Sequence, residues 1–179
     1  VRPFVDTNVL IYAATEYDPY KQQVAQRLLT EHTPAGLTIS AQVLAETYNV
    51  LTRRMRWVPA DALQTVRLLA GAMRTVSLAT EQVLAALQMA AAHSLSTWDA
   101  MVVQAALDAG CDTLFSEDMQ AGRRFGALQV VNPFATTAHE APAEFAVAAV
   151  ATAAPAPRAP RRPPARPAQP APPPSSRRR

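Results

Sequence analysis

Apolar residues recur along this chain in two alternating rhythms. Short runs of β-branched or apolar residues at 3–5, 37–39, 75–78, 113–115 and 129–131 predict strands. Between them, residues 19–29, 42–54, 59–73, 81–92 and 97–109 predict helices. In the second of these, Val43, Leu44, Thr47, Val50 and Leu51 follow the spacing of a buried helical stripe. Punctuation agrees with the pattern: Ser40 is placed to cap a helix, Pro59 to open one, and Gly110 to follow a helical end. Strand and helix in alternation predict an α/β fold, a three-layer sandwich in which a mainly parallel sheet of four to five strands is flanked by helices.

Composition divides the chain. Its 179 residues, 49% hydrophobic, suffice for one core. Residues 151–179, however, hold 10 of the 16 prolines and 7 of the 17 Lys and Arg residues, with no acid and no aliphatic larger than alanine. Such a stretch cannot bury a core and reads as a disordered Pro/Ala/Arg-rich tail, a salt-sensitive anchor for a polyanion. The expected organisation is a folded domain over 1–138, a linker at 139–150 with room for a short helix, and the tail. Residues 1–150 carry 10 basic against 14 acidic side chains, a formal charge of −4, so the overall +3 belongs to the tail.

Cysteine and leader chemistry is sparse. Cys111 is the one cysteine, which excludes an intramolecular disulfide and multi-cysteine zinc sites and leaves the role of a small buried hydrophobe. Asp6 and Asn8 interrupt the apolar start, and the alanine-rich run at 145–154 falls short of the ~20 residues of a membrane span. The expectation is a cytoplasmic protein with no membrane segment.

Against this background the acids stand out. Asp6 closes the first strand and opens Asp6-Thr7-Asn8, at the carboxyl strand end where open α/β sheets hold ligands. It could instead be part of a helix-capping turn, although Asn8 alone would serve for that. Asp99 in Ser96-Thr97-Trp98-Asp99 also satisfies a capping box, a role compatible with chemistry. Glu46 borders the buried stripe of its helix, and Glu117 and Asp118 follow the fourth strand, with Asp118 expected to be the inward member. Alone, each has an ordinary structural explanation as a cap or a solvated helical acid. Together they suggest four converging carboxylates able to hold a metal.

Other chemistries lack their residues. Five glycines form neither a dinucleotide fingerprint nor a P-loop. His32, His93 and His139 are far apart without metal-ligand spacing, and no serine sits in a nucleophile elbow. Hard carboxylates without His or Cys partners suit Mg²⁺ or Mn²⁺, and phosphodiester hydrolysis suits that equipment.

At this point the residues resemble a known family, the PIN-domain ribonucleases, and within it the VapC-like toxins of type II toxin–antitoxin systems. The segments that carry the likeness are Phe4-Val5-Asp6-Thr7-Asn8-Val9-Leu10, Ile39-Ser40-Ala41-Gln42-Val43-Leu44-Ala45-Glu46, Ser96-Thr97-Trp98-Asp99-Ala100 and Leu114-Phe115-Ser116-Glu117-Asp118-Met119. The resemblance spans about residues 2–134 and implies a Mg²⁺-dependent endoribonuclease. It implies Asp6 and Asp99 as principal metal ligands, and Glu46 and Asp118 as the rest of the acidic pocket, holding water or a second ion. Thr7, Asn8 and Ser116 would orient the acids, with Glu117 as the rival of Asp118. A cognate protein antitoxin is the implied partner, and a homodimer contact is expected on the helices at 42–54 and 59–73.

Candidates for RNA phosphate contacts are Arg53, Arg54 and Arg56 beside Trp57, and Arg123 and Arg124 in the loop after Asp118. For the first three, the ordinary alternative is a basic helix C-terminus. Two other functions compete. A catalytically silent PIN-like interaction module would use the acids only as caps. A haloacid-dehalogenase-like phosphatase would want D-x-D and a lysine, whereas this chain has Asp6-Thr7-Asn8 and Lys21 as its one lysine.

Overall fold

The computed structural model describes residues 1–135. The expected domain boundary at 138, the linker at 139–150, the tail and His139 lie outside the described residues. Strand β1 (Pro3–Val5) leads into α1 (Thr7–Ala14) and α2 (Pro19–His32), then β2 (Thr38–Ser40), α3 (Ala41–Arg53), α4 (Pro59–Ala72) and β3 (Arg74–Val76). The chain continues through α5 (Thr80–His93), α6 (Thr97–Asp108), β4 (Thr113–Phe115), β5 (Arg124–Phe125) and β6 (Leu128–Val131). The six strands lie in the order β3-β2-β1-β4-β6-β5, all parallel except β5, which runs antiparallel to β6.

This order fixes where a ligand belongs. From β1 the chain builds outward through β2 and β3, then returns across the sheet to place β4 on the other side of β1. The reversal parts the connections leaving β1 and β4 and opens a crevice at their carboxyl ends. The register Pro3 with Thr113, Phe4 with Leu114 and Val5 with Phe115 sets those ends level.

Burial follows from apolar strands covered by helix stripes. Phe4, Val5, Ile39, Leu114 and Val130 are fully buried in the sheet, with Val9, Leu10, Val43 and Val103 from the helices against them. Val43, Thr47 and Leu51 of the expected α3 stripe are completely buried, and Leu44 and Val50 half-buried beside them. A second small cluster joins Ile11, Leu51 and Ala62, with Trp57 packed on its rim.

Several expectations need adjustment. The sheet has six strands rather than four to five, because β5 adds a two-residue edge too short to show a period in sequence. The third strand is Arg74–Val76 rather than 75–78; it is exposed at its start, and pairing with β2 alone decides its ends. Residues 7–14 form a helix that apolar content on every side had concealed: Thr7, Val9, Leu10 and Ile11 are all buried. Cys111 is buried, and Gly110 (φ 71°) ends α6, with the Cys111 N–H donating to the Ala106 carbonyl at 2.9 Å. No helix among the described residues is long and apolar enough to cross a membrane.

Candidate active site

The Asp6 backbone N–H donates to the Phe115 carbonyl at 3.0 Å, one step beyond the last β1–β4 pair, so its side chain enters the crevice. That carboxylate is only 7% exposed. Oδ1 accepts the Thr7 N–H at 2.7 Å, and Oδ2 accepts the Ser116 hydroxyl at 2.7 Å and the Asn8 amide at 3.4 Å. Asp6 is itself the N-cap of α1, the task that seemed open to Asn8, which instead lies within the helix. Capping and a place in the crevice thus coincide in one residue. Burial pushes the Asp6 carboxyl up to about 6, against the lowering bonds from Ser116 and Thr7, and the charges of Glu46 and Asp118 push the same way.

The other acids arrive on separate elements. Glu46 projects from the second turn of α3, where its Oε2 accepts the Thr7 hydroxyl at 2.9 Å. Asp118 follows β4 and accepts the Asn8 side-chain amide N–H at 3.3 Å, while the Glu117 N–H donates to the Asn8 side-chain Oδ1 at 3.3 Å. Thr7, Asn8 and Ser116 therefore each donate to an acid, in the expected supporting positions. Asp99 occupies the first turn of α6, whose N-cap Ser96 accepts the Asp99 N–H at 3.0 Å. The Gln42 amide donates to the Trp98 carbonyl at 3.4 Å and fastens the start of α6 to α3.

Glu117 and Asp118 are adjacent in sequence but differ in environment. Glu117 is paired with Lys21, whose ammonium also donates to the Tyr12 hydroxyl at 3.1 Å and lies over the Tyr12 and Phe134 rings. The bond to Glu117, then that to Tyr12, hold the Lys21 ammonium above its ordinary range. Asp118 is exposed and is paired with no cation among the described residues. The approach of Lys21 to Glu117, 96 residues away, carries no local signal.

Asp6, Glu46, Asp99, Glu117 and Asp118 all line one open cleft of about 460 Å³. Arg54 is the one RNA-contact candidate that lines it too. Arg56, in the connection between α3 and α4, adopts the left-handed region (φ 60°). Arg123 donates to the His93 carbonyl at 2.6 Å and covers the Phe125 ring, and Arg124 opens β5 rather than sitting in a loop, donating to Gln129 at 2.8 Å. The Arg123 and Arg124 side chains are occupied by these structural contacts, and neither lines the acidic cleft.

The donor set tests what the cleft could hold. Carboxylate, hydroxyl and amide oxygens without thiolate or imidazole suit a hard divalent ion such as Mg²⁺ or Mn²⁺. Asp6 is buried among acids that raise its pKa, an arrangement a cation would relieve. Among the described residues, however, no three His, Cys, Asp or Glu side chains are already arranged as a ligand set. The Asn8 amide bridges Asp6 and Asp118, and Mg²⁺ commonly takes only one or two carboxylates and fills its shell with water.

Comparison with known proteins agrees with this geometry. The PIN domain family model matches residues 4–124. No curated protein matches. Among solved structures, the chain is similar to the Mycobacterium tuberculosis toxin VapC20, a sarcin–ricin loop cleaving toxin, with TM-score 0.57 and 22% identity over 65% of this chain and 89% of that one. It is also similar to VapBC2 from Rickettsia felis bound to a promoter DNA fragment, with TM-score 0.56 and 13% identity over 73% and 97% of the two chains. A toxin–antitoxin complex from Klebsiella pneumoniae matches with TM-score 0.53 and 16% identity, over 74% and 98%. At these identities the likeness concerns the fold.

Proposed function

Because the chain belongs to the PIN-domain family, we propose that it is a metal-dependent endoribonuclease, the toxin of a toxin–antitoxin pair. One observation carries the reading most strongly: a buried aspartate at the switch point of a parallel sheet, its carboxyl raised to about 6, shares a cleft with Glu46, Asp99 and Asp118. Acids placed at such cost without a compensating partner suit a site that a cation completes.

In this reading Asp6 and Asp99 hold a Mg²⁺ or Mn²⁺ ion, and Glu46 and Asp118 orient the attacking water or flank a second ion. A divalent ion there supplies a lowered pKa for water and charge compensation for the scissile phosphate. Thr7, Asn8 and Ser116 keep the carboxylates facing the cleft through the bonds described above. Arg54 offers a cation to a neighbouring phosphate, since the ion pairs among the described residues do not involve it. Lys21 draws Glu117 aside, which favours Asp118 as the fourth acid.

A cytoplasmic nuclease needs restraint, and the toxin–antitoxin complexes among the structural relatives support a cognate antitoxin as partner. An arginine or lysine of that partner entering the acidic cleft would block it. Leu63 and Leu68, exposed on α4, offer apolar surface for docking or for a homodimer. The test is cleavage of RNA by purified protein in Mg²⁺ or Mn²⁺ and its loss in chelator, with growth arrest on expression alone and rescue by the adjacent reading frame.

A second reading, a catalytically silent PIN-like module, draws support from the absence of a ready-made ligand set among the described residues. Divalent-ion titration separates the two. A silent module binds Mn²⁺ no better than any acidic surface.

A further inference from the structure

Trp98 is 62% exposed and Tyr17 is 74% exposed, although tryptophan in folded proteins is buried for most of its surface. Both side chains line the same cleft as the acids. They reach it from different parts of the chain: Tyr17 from the short turn between α1 and α2, Trp98 from the first turn of α6, beside Asp99. The backbone around each is held. The Trp98 carbonyl accepts the Gln42 amide, Thr15 bonds the Ile11 carbonyl at 2.9 Å, and the Asp18 side chain caps α2 by accepting the Lys21 N–H. Two flat, uncovered aromatic faces on fixed backbone thus flank a cleft whose floor is acidic.

We infer that Trp98 and Tyr17 are base-stacking residues, which hold unpaired nucleobases of an RNA strand whose phosphate lies at the acids. This rests on the proposed ribonuclease activity and adds to it the residues that select single-stranded over duplex substrate. An aromatic ring accepts the face of any base, so stacking supplies affinity with little sequence preference. It requires a base turned out of its helix, which paired RNA supplies only at the cost of unstacking. The acidic floor attracts no polyanion unaided, so contacts to the uncharged bases supply grip that the phosphates alone lack, alongside Arg54. Exposed aromatics also serve as anchors at protein interfaces. Their position around the acids, rather than on the outer face of α4 or α5, favours the nucleic acid.

The experiment uses the full chain with a 12-nucleotide unpaired oligoribonucleotide and the same sequence in a duplex, both in Mn²⁺, reading cleavage kinetics and binding. Trp98→Ala should raise KM for the single strand about tenfold with kcat little changed, and Trp98→Phe should restore most of the loss. Tyr17→Ala should act in the same direction. An abasic site beside the cleaved phosphate should weaken binding by the wild type to a similar degree. It should add little to Trp98→Ala, because both changes remove one stack.

Wild-type KM in Trp98→Ala, or an equal abasic penalty with and without Trp98, overturns the inference while leaving the ribonuclease reading intact. So does a variant that cleaves normally but loses only its hold on the antitoxin, which would mark Trp98 as a protein contact. A wild-type protein that neither binds nor cleaves either RNA overturns both.

Discussion

Two aspartates stand at opposite ends of the same pair of strands. Asp112 precedes β4 and Asp6 follows β1, so one lies at the amino-terminal edge of the sheet and the other at the carboxyl-terminal edge. Burial raises Asp112, but the Thr113 hydroxyl, the Arg2 backbone N–H and the charges of the chain's amino group and Arg2 together outweigh it and hold its carboxyl below the usual value. Asp6 has comparable hydrogen bonds, yet deeper burial and two neighbouring acids push it up to about 6. Asp112 is built to be content as a charge within the fold. Asp6 is held where its charge is costly, the arrangement on which the proposed metal site rests.

Substitutions should separate the two edges. The largest effect expected is from Asp6→Asn, which should lower metal-dependent RNA cleavage by about 10³-fold with the fold preserved, while Asp112→Asn leaves the rate unchanged. Single-turnover cleavage on folded variants measures this, and comparable losses from both would erase the distinction. Ser116→Ala removes a 2.7 Å bond to Asp6 and should cost about 10- to 100-fold, as for other partners that orient ligating groups. In metal-free protein the same change should move the Asp6 titration further above 6, since the Ser116 bond lowers it. Asp118→Asn should reduce cleavage more than Glu117→Gln, because Lys21 already engages Glu117. The reverse order would reassign the fourth acid.

Stability should diverge with pH. Asp6 has a folded pKa raised from 3.8 to about 6, so its contribution to stability is full below about pH 4 and lost as pH rises through 6. In chelator, Asp6→Asn should therefore be more stable than wild type by about 1–2 kcal/mol above pH 6, with the gain fading between 6 and 4. Asp112 has a lowered pKa, so its contribution is present above pH 4 and lost on acidification. Its replacement by Asn should cost less than about 1 kcal/mol near neutrality, because solvent screens that half-exposed carboxylate, and nothing in strong acid. Urea denaturation across a pH series reads both signs.

The carboxyl-terminal edge was largely legible in sequence, and the reasons are local. Asp6, Ser40, Asp99 and Ser116 each sit within three residues of a strand or helix boundary whose punctuation is explicit. The helix at 7–14 hid because its apolar residues face the core on all sides and leave no polar stripe to mark a period. Strand β5 hid because two residues hold no pattern; only pairing with Leu128 and Gln129 defines it. Contacts between distant segments were the least visible. Lys21 beside Glu117 and Arg123 at the end of α5 arise from topology, which no spacing encodes.

The central question is whether the acids gathered around Asp6 form a metal site. Calorimetric titration of the purified protein with Mn²⁺ tests this most directly, run on wild type, Asp6→Asn and Asp112→Asn. Specific binding to wild type and Asp112→Asn at equal affinity is expected, weakened at least about tenfold in Asp6→Asn. Equal Mn²⁺ affinity in wild type and Asp6→Asn, or none in wild type, would contradict it.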